Sequence, residues 1–202
     1  MNRNITIANG LSLLRILLTP LFLFFVFTKG PLFEILALII FVLASVTDAY
    51  DGYYARKFSS ITRLGKFLDP LADKILMSAA FFSFVILKLV PLWMVVLIIM
   101  RDLIVTGIRI LMTAQGGTMV TRQSAKIKTG VQIGAVCFIL VYLITQRWKI
   151  FLGIAPYVAL IEEYYILYVV MAMVTAFTVW TGIEYIIVNR NVFRQVFRRE
   201  TH

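Results

Sequence analysis

Of the five aspartates in this chain of 202 residues, four fall within residues 48–73: Asp48, Asp51, Asp69 and Asp73. That stretch reads DAYDGYYARKFSSITRLGKFLDPLAD and is flanked by almost continuously apolar sequence. Four carboxylates gathered at the edge of such a protein repel one another and resist leaving water, so they need cations to be tolerated. Asp48 and Asp51 are i, i+3, and Asp69 and Asp73 are i, i+4, so each pair shares one face if both segments are helical. Two helix ends facing each other then offer four converging carboxylates, a cage suited to hard divalent ions. Gly52 and Ala55 fall near the stripe of the first pair and leave it without bulk. Arg56 follows, where a guanidinium can grip a phosphate. The bland alternative is a set of helix-capping acids beside a solvated loop.

A second set of residues is basic. The stretch RDLIVTGIR carries Arg101 and Arg109, and AKIKTGVQ carries Lys126, Lys128, Thr129 and Gln132. The two arginines are separated by a rotation of roughly 80° beyond two full turns, which makes them neighbours on a broad helix face. Charges inside an apolar span are costly and mark function by default. This cluster suits an anionic acceptor, and the competing reading is simple charge anchoring at the membrane edge. His202 is the only histidine, which excludes a His-based metal site or triad, and the lone Cys137 reads as packing. Gly130 and Gly134 form a GxxxG that fits either a dimer face or close packing within one chain. Glu184 reads as the partner of a basic residue, and the sequon at Asn4-Ile5-Thr6 is discounted as cytoplasmic and too near the membrane.

The elements that must position these residues are membrane helices. The chain is 61% hydrophobic with a mean hydropathy of +0.91, above the usual range of a soluble domain. The expected fold is an all-α integral membrane protein, a single domain over 1–202 with about six spanning helices of roughly 20 residues and a polar cavity facing the cytoplasm. The first apolar stretch is long and lacks a small-residue cleavage pattern, so it is expected to remain as a helix. Spans are expected at about 7–27 (with Pro20 kinking or dividing it), 33–55, 69–89, 91–114, 124–145 and 160–188. Residues 56–66 are expected to form a basic loop, and Asp69-Pro70 to open the third helix, its dipole favouring both acids. Six spans place 16 of the 20 basic residues on one side, with Lys29, Lys88, Arg147 and Lys149 on the other. That bias puts both termini and the aspartates in the cytoplasm of a cell-membrane protein. The net charge of +10 therefore reflects orientation and anionic lipid, not nucleic acid.

Taken together, these positions spell D-x-x-D-G-x-x-A-R, eight residues, then G-x-x-x-D-x-x-x-D, with Gly65 as the second glycine. This pattern resembles, at every fixed position, the signature of the CDP-alcohol phosphotransferase family. The resemblance implies a six-helix membrane fold, usually homodimeric, that displaces CMP from a CDP-linked lipid by an acceptor hydroxyl. It also implies that Asp48, Asp51, Asp69 and Asp73 bind metal, Mg2+ or Mn2+, as two ions per subunit. By the same resemblance Asp73 is the general base, and Asp48, Gly52, Ala55, Arg56 and Gly65 contact the CDP moiety. The basic stretches and the opening NGLSLLRILLTPLF are similar to the bacterial branch that uses sn-glycerol 3-phosphate as acceptor and CDP-diacylglycerol as donor. Arg101, Arg109, Lys126 and Lys128 would then bind the acceptor phosphate. Ala8 and Asp102 depart from that branch, which commonly has proline and glutamate there.

Three other functions compete. The same chemistry with inositol phosphate, serine or phosphatidylglycerol keeps the fold and changes the acceptor. An ion transporter would place acids toward the bilayer middle and often in repeated halves, whereas here they cluster at one boundary. A non-catalytic lipid-binding scaffold would have no use for an intact signature.

Overall fold

In a computed structural model the backbone is described for residues 3–58, 63–114, 123–148 and 153–190, and side chains for 14–30, 32–47, 74–110, 112, 127–148 and 153–190. Every described element is helical: α1 (Arg3–Phe27), α2 (Pro31–Phe58), α3 (Arg63–Ile86), α4 (Leu92–Ala114), α5 (Gln123–Trp148), α6 (Ala155–Glu163) and α7 (Ile166–Val188). Long apolar runs take this form because a helix satisfies its own backbone hydrogen bonds without water. α1 packs against α2 and α3, α4 against α3 and α7, and α5 against α2 and α7. One continuous core joins them. Phe22 of α1 meets Phe41 of α2 with ring centroids 5.8 Å apart, and Phe81, Phe84, Met94, Ile98, Ile139, Leu140 and Met171 fill the space beyond.

Much of the described surface is apolar. Leu17, Phe24, Leu43, Ile86, Leu103, Met173 and Ile187 are all more than half exposed. α7 is the clearest case: Thr175, Thr178, Thr181 and Gly182 face inward, while Met173, Trp180, Ile183 and Ile187 face outward. An exposed apolar face of this extent suits hydrocarbon rather than water. Ile127–Trp148 and Ile166–Val188 are each long and apolar enough to cross a bilayer, with a hydropathy of 2.0 apiece.

Several expected boundaries shift. α1 starts at Arg3 and runs through Pro20 undivided. α2 continues to Phe58 and α3 begins at Arg63, so most of the expected 56–66 loop is helix. Nothing in YYARKF breaks a helix, and Pro70 is accommodated inside α3 at the loss of one donor to the Lys66 carbonyl. Asp69 therefore lies more than a turn inside α3, where the dipole contributes less than expected. The expected sixth helix is two helices: the chain turns at Tyr164 and Tyr165, and Tyr165 adopts a left-handed φ of 50°.

The turn ends of the bundle are tied by specific contacts. α3 closes in a Schellman motif, with Lys88 at φ 59° and the Leu89 N–H donating to the Phe84 carbonyl at 2.9 Å. Arg147 at the end of α5 donates to buried Glu34 of α2 at 2.8 Å. Tyr142 and Gln146 donate to Glu162 of α6 at 3.1 and 3.2 Å. Cys137 packs half-buried against the core, as expected.

Candidate active site

The helical backbone runs through all four aspartates. Asp48 and Asp51, with Gly52, Ala55 and Arg56, lie on the last three turns of α2; Gly65, Asp69 and Asp73 lie on the first three of α3. Each carboxylate pair thus has the same-face register that its spacing requires. Their side chains, and those of Gly52, Ala55, Arg56, Gly65 and Lys126, lie outside the described residues. A set of hard oxygen donors on two helices that both pack on α1 fits Mg2+ or Mn2+ chemistry.

The row of i+4 neighbours through Asp69 and Asp73 continues to Met77, which lines a small cleft of mixed polar and apolar character between α3, α4 and α5. Lys74, Ser78 and Phe81 contribute the rest of the α3 wall, Ile98 and Asp102 the α4 wall, and Lys128, Thr129 and Gln132 the α5 wall. At its head stands Asp102, 7% exposed. Lys128 donates to its Oδ1 at 2.5 Å, Arg101 donates to the same oxygen at 3.1 Å, and Lys74 donates to Oδ2 at 3.5 Å. Two cations thus share one carboxylate oxygen even before Lys74 is counted. Among the described residues positive charge exceeds negative charge in this cluster, and in a low-dielectric site such an excess attracts an anion.

The structure divides the expected acceptor-binding set. Lys128 is buried and lines the cleft. Arg101 is partly buried and is turned toward α7, where it donates to the Thr181 hydroxyl at 2.9 Å. Arg109 is exposed, its guanidinium 5.6 Å from the Tyr185 ring centroid, and lies apart from the cleft. The 80° rotation between the two arginines is enough to send them to different surroundings. Lys74 was missed by sequence reasoning, which counted it only among boundary charges; its place directly after Asp73, four residues before Ser78, is the signal that marks it. Gln132 donates weakly to Thr178 of α7 at 3.4 Å, extending the polar layer one turn deeper.

Two helices bearing four aspartates, with a basic cleft between α3, α4 and α5 of an apolar helical bundle, fit a membrane phosphotransferase. The chain belongs to the CDP-alcohol phosphatidyltransferase family, which matches it over residues 5–180. That family is membrane-embedded and generally depends on divalent metal. Among known relatives, the chain is 42% identical over 146 residues to the CDP-diacylglycerol--glycerol-3-phosphate 3-phosphatidyltransferase of Bacillus subtilis, a match covering 66% of this chain and 76% of that protein. It is 38% identical over 133 residues to a Mycobacterium tuberculosis protein named "Probable phosphatidylglycerophosphate synthase", covering 64% of this chain and 63% of that one. A Rickettsia bellii protein with the same name as the Bacillus relative is 35% identical over 127 residues, covering 63% of this chain and 70% of that protein.

Proposed function

We propose that this chain transfers a phosphatidyl group from CDP-diacylglycerol to sn-glycerol 3-phosphate, releasing CMP and forming phosphatidylglycerophosphate. The observation that carries the reading is the continuity of α3: the ridge bearing Asp69 and Asp73 leads directly into a cleft walled by Lys74 and Lys128. A donor diphosphate held at the aspartates and an acceptor phosphate held by the lysines meet at adjacent positions on one helix. The names of the relatives favour glycerol 3-phosphate over serine, and the cationic cleft favours any phosphorylated acceptor over a neutral one.

Asp48, Asp51, Asp69 and Asp73 would hold two Mg2+ or Mn2+ ions. Bound there, such ions neutralise the donor diphosphate and stabilise CMP as a leaving group. Gly52 and Ala55 leave room for the CDP moiety, and Asp48, Arg56 and Gly65 complete its contacts. Lys128 and Lys74 fix the acceptor phosphate, so its free hydroxyl approaches the phosphorus on the diacylglycerol side. Asp73 takes the hydroxyl proton as the new O–P bond forms and the bond to CMP breaks.

The chain acts as one domain with six spans, α6 serving as a short connector between α5 and α7. Both termini and the active site face the cytoplasm of the cell membrane, where nucleotides are available. A homodimer is the expected assembly. Among the described residues a Cβ at Gly130 or Gly134 would meet no neighbour within 4 Å, which favours a partner helix over close internal packing for that GxxxG.

The test is CMP release by purified protein with CDP-diacylglycerol and Mg2+, supplying acceptors one at a time. Release only with glycerol 3-phosphate is expected. Release with inositol phosphate or serine instead would move the acceptor assignment, and silence with every acceptor would remove the enzymatic reading.

A further inference from the structure

Arg101 is placed unlike a ligand. It is absent from the cleft wall, and both terminal nitrogens of its head group are engaged with protein. One terminal nitrogen donates to Asp102 at 3.1 Å and the other to Thr181 at 2.9 Å. Thr181 in turn donates its own hydroxyl proton to the Thr178 carbonyl at 2.8 Å, which turns its lone pairs toward the guanidinium. The Arg101 stem lies across Gly182, where an added Cβ would sit 2.8 Å from Cγ and 3.0 Å from Nε. That Nε–H is buried against this position with no acceptor among the described residues.

We propose that Arg101 is a positioning residue, locked by Thr181 and Gly182 of α7 so that Asp102 is held where it aims Lys128 and Lys74 into the acceptor cleft. The inference rests on the acceptor-site reading above. Its physical basis is the shared Oδ1: a carboxylate rotates freely about its last torsion unless its partners fix it. Arg101 and Lys128 both donate to that one oxygen, so the plane of the carboxylate, and with it the ammonium of Lys128, follows the guanidinium. Arginine suits this task because its planar fork spans two acceptors at once, which a lysine cannot do. The glycine at 182 is what lets the fork reach α7. α7 thereby contributes to acceptor affinity without touching the acceptor.

The experiment is steady-state kinetics on the full-length protein in mixed micelles with Mg2+, varying glycerol 3-phosphate and CDP-diacylglycerol separately. Thr181→Val is expected to raise KM for glycerol 3-phosphate on the order of three- to tenfold, the scale of one ordinary intramolecular hydrogen bond. KM for CDP-diacylglycerol and the melting temperature should stay near wild type. Thr181→Ser, which keeps the hydroxyl, should restore the wild-type value, and Gly182→Ala should reproduce the defect by displacing the arginine stem. An Arg101 that bound the acceptor itself would be released by Thr181→Val, leaving KM for glycerol 3-phosphate unchanged or lowered. That outcome overturns the proposal. So does a loss of kcat and thermal stability with both KM values intact, the mark of a purely structural role. Lys128→Ala separates the two layers of inference. If it leaves acceptor KM unchanged, the cleft reading falls and this one with it. If it raises acceptor KM while Thr181→Val does not, only the positioning role falls.

Discussion

Asp73 and Lys74 are neighbours in the chain but lie about 100° apart around α3, so one continues the row of aspartates while the other lines the cleft. In the proposed mechanism, proton acceptance and phosphate binding are thereby set next to each other by a single peptide unit. Asp73→Asn keeps the size and hydrogen-bonding capacity of the side chain and removes its ability to take a proton. It is expected to cut CMP release by at least about a hundredfold while the protein elutes as a folded species on size exclusion. Turnover within a few-fold of wild type would remove Asp73 from the role of base. The aspartates were legible from the sequence because an acid in an apolar chain is rare and its spacing is explicit. Lys74 was less so, because a basic residue near a helix end also serves orientation.

The helices hold the site by ties far from it. Arg147 at the end of α5 and buried Glu34 at the start of α2 form such a tie at 2.8 Å, with one Glu34 oxygen, Oε2, buried and unpartnered among the described residues. Removing the arginine strands a carboxylate in a low-dielectric site, whereas removing both charges does not. Arg147→Ala should therefore lower the melting temperature in detergent, and adding Glu34→Gln should recover part of the loss. If the double variant melts no higher than the single one, the ion pair is not what holds α2 to α5. Helix content was legible from the apolar runs, and α4 lies where Pro91 and the QGG following Ala114 indicate. The helix ends at 58 and 63 and the break at Tyr165 were not, since no proline or glycine marks them.

For the molecule as a whole, the charge asymmetry predicts a single orientation. Lys29 is exposed in the turn between α1 and α2, and Arg190 is exposed just past α7. In a Cys137→Ala background, Lys29→Cys should react with a membrane-impermeant maleimide on intact cells, and Arg190→Cys only after lysis. The reverse pattern would invert the topology and place the aspartates away from the nucleotide pool.

By itself, the sequence determined the membrane setting, the helical class, the family and the helical register of the four aspartates, because each is written in composition or in short-range spacing along one helix. Which cations meet was a tertiary matter. Arg101, Lys128 and Lys74 come from three helices, and their convergence on Asp102 depends on how α3, α4 and α5 rotate about their axes to pack. The same packing sends Arg109 to Tyr185 and binds Arg101 to α7. Spacing within a helix fixes a face, but only packing between helices decides what that face meets.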